Sequence, residues 1–103
     1  MFYTSFKVKP TTQNPDYYRL RGAIAHLWIK EVTPEKAIIK AIDYIRRFHW
    51  EFQSWDKEIS ETIFEQFEGK EQAQERFLVA TIHGIAAVFV GYESEDKIEF
   101  SIN

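Results

Sequence analysis

The side chains with the widest chemical reach in this 103-residue chain are three histidines, His26, His49 and His83. No two of them have the HxxxH or HExxH spacing that sets a pair of ligands on one helix face. His49 and Glu51 stand two apart, so on a strand they share a side. With His26 from a neighbouring strand they form a weak three-ligand candidate for zinc or iron. His83 falls in an apolar stretch and reads as a buried or interfacial histidine. The chain has no cysteine, which excludes thiolate metal sites, iron–sulfur clusters, disulfides and thiol catalysis together. Its four glycines are scattered, with no G-x-S-x-G elbow, P-loop or dinucleotide turn. Glu61, Glu65 and Glu68 have the spacing of a solvated helix face, not of two carboxyls held across a cleft. With no nucleophile, base and oxyanion site in view, the expected function is non-catalytic and no cofactor is expected.

Aromatic residues make up 17% of the chain, enough to require an explanation. Interface centres concentrate tryptophan, tyrosine and arginine, so Tyr18, Arg21, Trp28, Arg47, Trp50 and Trp55 are the candidate anchors for a partner or ligand. A face shared by Tyr17, Arg19 and Arg21 would suit stacking on single-stranded nucleic acid. The charge speaks against that use. Residues 1–50 hold nine basic and four acidic side chains, whereas residues 51–103 hold four basic and twelve acidic. An acidic half is no footprint for a phosphate backbone, but a polarised chain can steer a charged partner or another copy of itself.

These groups have to be positioned by regular elements. Phe2, Thr4, Phe6 and Val8 alternate with Tyr3, Ser5, Lys7 and Lys9, the pattern of a half-buried strand. Pro10 to Asp16 is a loop, and Tyr17 to Lys30 reads as a second strand, with Gly22 marking a bulge or a close backbone approach. Thr33-Pro34-Glu35 announces a helix: a capping hydroxyl, a proline preset for the first turn and an acid at the positive end. That helix runs to about Arg47, with Ile38, Ala41, Ile42, Ile45 and Phe48 on its apolar stripe. Trp50 to Trp55 reads as a third strand, set parallel to the second by the helical crossover. Ser60 to Ile63 caps a short helix that ends near Gly69, and residues 97–102 alternate as a last strand.

Between them, Phe77 to Tyr92 contains only Thr81 and His83 as polar residues apart from the terminal tyrosine. Val79, Ile82, Ile85, Val88, Phe89 and Val90 also suit a pair of strands, but the run leads straight on from Glu71 to Arg76, so the sequence favours one long helix over about 70–90, apolar all round and in need of cover on more than one side. It is too short for a confident membrane span. Ala80, Gly84, Ala87 and Gly91 would then form a smooth stripe with His83 beside it, a surface for a homodimer.

The expected fold is therefore α+β, a two-layer sandwich. A three- to four-stranded mixed sheet, in the order β-β-α-β-α-α-β, packs against a capped helix (about 33–47) and the long apolar helix, all in one domain. The expected function is a small association module that works through protein–protein contacts as a homodimer. The alternative is a small-molecule-binding domain with an aromatic pocket between sheet and helices, and one or two polar groups such as His26 or His83. Minor catalysis or nucleic-acid binding comes after both. The first residues lack a basic-then-apolar signal pattern, so the expected compartment is the cytoplasm, with no membrane partner.

Overall fold

The computed structural model describes residues 1–93 and 100–102. Strand β1 (Phe2–Pro10) lies between β2 (Gly22–Ile29) and β3 (Trp50–Glu61). It pairs antiparallel with both, Phe2 opposite Ile29 on one side and Glu61 on the other. β4 (Ile85–Tyr92) extends the sheet beyond β2, and a short β5 (Phe100–Ile102) follows it, giving the order β3-β1-β2-β4-β5. Every pair is antiparallel, so the expected mixed sheet is corrected. β2 and β3 do point the same way, as the crossover requires, but β1 lies between them. Of the expected strand at 97–102, residues 97–99 lie outside the described residues.

Helix α1 (Pro34–Arg47) forms where the sequence announces it. Thr33 Oγ1 accepts a hydrogen bond from the Lys36 amide at 3.2 Å, satisfying one free donor of the first turn. Ala37, Ala41 and Ile45 carry the buried stripe, four residues apart, while Phe48 at the end is exposed. They pack on Phe2, Phe6 and Val8 of β1, Ala25, Leu27 and Ile29 of β2, and Ala87 and Phe89 of β4.

The stretch expected as one long helix is three things. Helix α2 (Glu71–His83) ends at Gly84, which takes φ 91° and returns its amide to Ala80 O at 2.8 Å. The chain then turns directly into β4. A left-handed residue stops a helix cleanly and is open to glycine at no steric cost. β4 lacks a polar alternation because both faces of the strand are covered, and such strands read as continuous apolar runs. The expected all-round burial also fails for α2, since Leu78 and Ile82 are exposed, Ile82 at 77%.

α2 lies on the opposite face of the sheet from α1. Its Ala80 is fully buried with Trp28, Ala86 and Val88, whose neighbours on these strands face α1. A single-turn 3-10 helix at Phe64–Phe67, preceding α2, takes the place of the expected short α-helix. The architecture is thus three layers, helix, sheet, helix, in place of the expected two. β1 and β2 are central strands with two apolar faces to cover, and one helix covers only one.

Candidate functional site

Alternation along the central strands decides what faces α2. On β1 this includes Tyr3 and Ser5; on β2 it includes His26 and Trp28. The register places Ser5 opposite His26 and Tyr3 opposite Trp28. Tyr3 also reaches the diagonal neighbour, and its hydroxyl lies 2.8 Å from His26 Nδ1. The Tyr3 ring is 5.1 Å from Trp28, 5.4 Å from Phe67 and 6.2 Å from the stacked His26 ring, centroid to centroid.

β3 is irregular where it passes this group, with register shifts on both sides of Ser5. Thr4 Oγ1 holds the irregularity by donating to Lys57 O at 2.7 Å, and Ser5 Oγ donates to Asp56 Oδ2 at 2.8 Å. Two consecutive β3 residues, Asp56 and Lys57, are thereby brought to the site, which a regular strand would not allow.

Between this patch and the start of α2 is a cleft of about 430 Å³. Its walls are Tyr3, His26, Trp28, Phe67, Val88 and Val90, and its rim is Lys57 with residues 70–73. Burial depresses His26 below its ordinary value near 6.5; Asp56 opposes the shift and Lys57 adds to it. The neutral ring and the Tyr3 hydroxyl share one hydrogen bond through Nδ1. Burial raises the Tyr3 phenol above its ordinary 10, with a hydrogen bond shared with Ser5 opposing and Asp56 reinforcing. Both groups are therefore held uncharged. A neutral donor–acceptor pair among rings suits the recognition of a small molecule.

Of the residues expected at a site, His26 and Trp28 meet here. Trp28 is 3% exposed and Trp50 is also core, stacked on Phe89, so neither is an anchor for a protein partner. Tyr18, Arg21, Arg47 and Trp55 are exposed but dispersed over the surface. His49 and Glu51 lie beside Pro10, whereas His26 pairs with Ser5. Five residues of strand separate them, roughly 16 Å, so the three-ligand candidate is not assembled. Among the described residues no group of three or more histidine or acidic side chains is arranged to hold a metal ion.

Ala80, His83, Gly84, Ala87 and Gly91 do not form a stripe. Ala80 faces Trp28, Ala87 faces α1 from β4, Gly84 caps α2, Gly91 pairs with Ala23, and His83 is exposed at the helix end. The helical spacing that defined the stripe ends at Gly84.

Tyr3, Ser5, Asp56, Lys57, Phe67 and Lys70 carry the site without having been singled out in the sequence. The signal available was polar residues within the strand patterns, Ser5 on β1 and His26 on β2. No helix among the described residues is long and apolar enough to cross a membrane. No protein-family model matches the chain, and no curated protein or solved structure matches it either.

Proposed function

We propose that this chain is a small-molecule-binding domain whose ligand lies between the sheet and the start of α2. The observation that supports this reading is the contrast between the two faces of one sheet. The α1 face is filled by Phe6, Val8, Leu27 and Ile29 and opens a smaller cleft, about 170 Å³, beside Tyr44, Trp50 and Phe89. The α2 face opens a cleft walled by the rings of Tyr3, Trp28 and Phe67, with the half-buried Tyr3–His26 pair in it. Pockets of this size and lining, apolar with a few fixed polar groups, are the usual form of ligand sites.

The test is a thermal-shift screen of small metabolites, with positive results mapped by amide correlation spectra. A ligand at a hundred times its Kd stabilises the fold by about 2.7 kcal/mol. That corresponds to a rise in Tm of about 11–22 °C for a domain of this size. The reading expects such a ligand to move the resonances of Tyr3, His26 and Trp28. Ligands that shift only the α1 face, or a broad screen without a hit, refute it.

A second reading, self-association, rests on Leu78 and Ile82. They stand one helical turn apart on α2 and are 52% and 77% exposed. Two copies meeting there would bury both side chains. Light scattering at tens of micromolar tests this, with a dimer that Ile82→Glu dissociates as the expected result and a strict monomer as the refutation.

A further inference from the structure

We infer that the cleft takes a small molecule with a flat apolar body and one acidic group, the acid at the amino end of α2 between Lys57 and Lys70 and the body against Tyr3, Trp28 and Phe67. This rests on the ligand-binding reading above and names the ligand's chemistry.

The first argument is the helix end. Lys70, Glu71, Gln72 and Ala73, the cap and first three residues of α2, all line the cleft. α2 is 13 residues long, and no side chain caps it. The first amides of a helix have no acceptor within the helix, and together they present a partial positive charge. A carboxylate or similar group at that end satisfies both needs.

The second argument is the balance of charge. Lys57 arrives from the irregular part of β3 and Lys70 from the helix cap, two cations from different elements. Glu71 is the only acid among the lining residues, and Asp56 nearby is already held by Ser5.

The third argument is independent of both. Trp28 lines the same cleft and is almost wholly buried, yet its indole Nε1–H has no acceptor among the described residues. Buried donors are nearly always paired, so each exception requires a reason. Tyr3, Glu71 and Gln72 also line the cleft and carry oxygen atoms that could accept, but none of them lies within hydrogen-bonding distance of the indole. A buried donor left open in the wall of a cleft calls for a ligand that brings an acceptor. The rings around the indole, Tyr3 at 5.1 Å and Phe67 at 5.7 Å, supply the flat apolar wall for the rest of such a molecule.

The experiment titrates isotopically labelled protein with 2-naphthoate and with its neutral isostere, 2-naphthamide, followed by acid–amide pairs of other ring shapes. The chain has three tryptophans, hence three indole N–H resonances, and Trp28→Phe assigns the relevant one. The inference expects the acid to bind at least about tenfold tighter than the amide and to move the Trp28 indole resonance but not those of Trp50 and Trp55. Lys57→Gln with Lys70→Gln should weaken the acid about fivefold and leave the amide unchanged. Both lysines are exposed, so the fold should survive, and Lys70→Gln alone serves as a second, milder variant.

Equal binding of acid and amide in the cleft overturns the anion assignment and leaves the ligand-binding reading standing. So does acid binding that bypasses Trp28. If no pair of any shape moves a cleft resonance, both inferences fall.

Discussion

Replacing Gly84 with alanine distinguishes two structures by the sign of one measurement. Gly84 has φ 91° and ψ −21°, joins α2 to β4, and its carbonyl accepts from the Lys30 amide at 2.9 Å. An L-residue held in left-handed backbone costs about 1–2 kcal/mol. The new Cβ would also lie 2.9 Å from Lys40 Nζ, the free end of a flexible side chain whose ion pair with Glu31 is a loose 3.8 Å. That contact adds little, because a surface pair of this kind contributes at most about 1 kcal/mol and the lysine can swing away. Gly84→Ala should therefore lower stability by about 1.5 kcal/mol, a fall in Tm of about 6–12 °C in a domain of this size. Were residues 70–90 a single helix, Gly84 would sit in its middle and alanine would stabilise it by about 1 kcal/mol. Thermal and urea melts followed by circular dichroism give the answer, provided the urea m-value is unchanged. A variant as stable as the parent, or more so, refutes the helix–turn–strand arrangement and the three-layer fold with it.

Gly22→Ala should be more damaging. Its Cβ would fall 2.6 Å from Tyr92 Oη and 2.7 Å from Val8 O; the phenol can shift but the carbonyl is part of the sheet, so a loss of about 1–3 kcal/mol is expected in urea melts. Thr33→Ala removes the cap of α1 and should cost about 1 kcal/mol in the same assay, with Thr33→Asn restoring most of it. The Tyr3–His26 pair narrows the range of pH over which the protein is stable. His26 titrates lower in the fold than in the open chain, so below pH 6.5 the unfolded state takes up the proton first and stability drops as the solution is acidified. Tyr3 titrates higher in the fold, so above pH 10 the unfolded state loses its proton first and stability drops again as pH rises. Urea melts across that range check both limbs, and an acid limb of unchanged slope in His26→Gln would show that His26 is not its source.

What could be read from the residues alone depended on whether the signal was local. The cap of α1 is a three-residue pattern that works through its own backbone, and it appears where Thr33-Pro34-Glu35 puts it. The alternation of β1 is similarly self-contained, and Gly22 marks the close approach its type implied. Tyr17 to Arg21 misled because the competing signal lies just before it. Asn14 Oδ1 accepts from the Asp16 amide and Asn14 O from the Tyr17 amide, which bends the chain into turns until β2 begins at Gly22. Phe77 to Tyr92 misled for the opposite reason. A strand covered on both faces erases the period-2 signal, and the polar run leading in is truly helical, so only Gly84 records the change.

The site was hidden because it exists only across strands. Tyr3 and His26 are 23 residues apart, Ser5 and Asp56 are 51 apart, and neither pair can be proposed before the register of β1 against its two neighbours is known. What the residues did record was a conflict. β1 and β2 are interior strands, where a polar side chain destabilises the fold unless it finds a partner. On the α1 face the conflict is confined to Thr4, whose hydroxyl satisfies itself on a backbone carbonyl and reinforces the sheet. On the α2 face the sequence places a phenol, a serine, a histidine and an indole together. It pairs the first three through Tyr3–His26 and Ser5–Asp56 and leaves the indole donor without an acceptor. A purely structural sheet would fill those positions with the aliphatic residues found on its other face. Sequences that break a local rule, satisfy most of the resulting polar groups and leave one open mark the place where something other than the chain completes the arrangement.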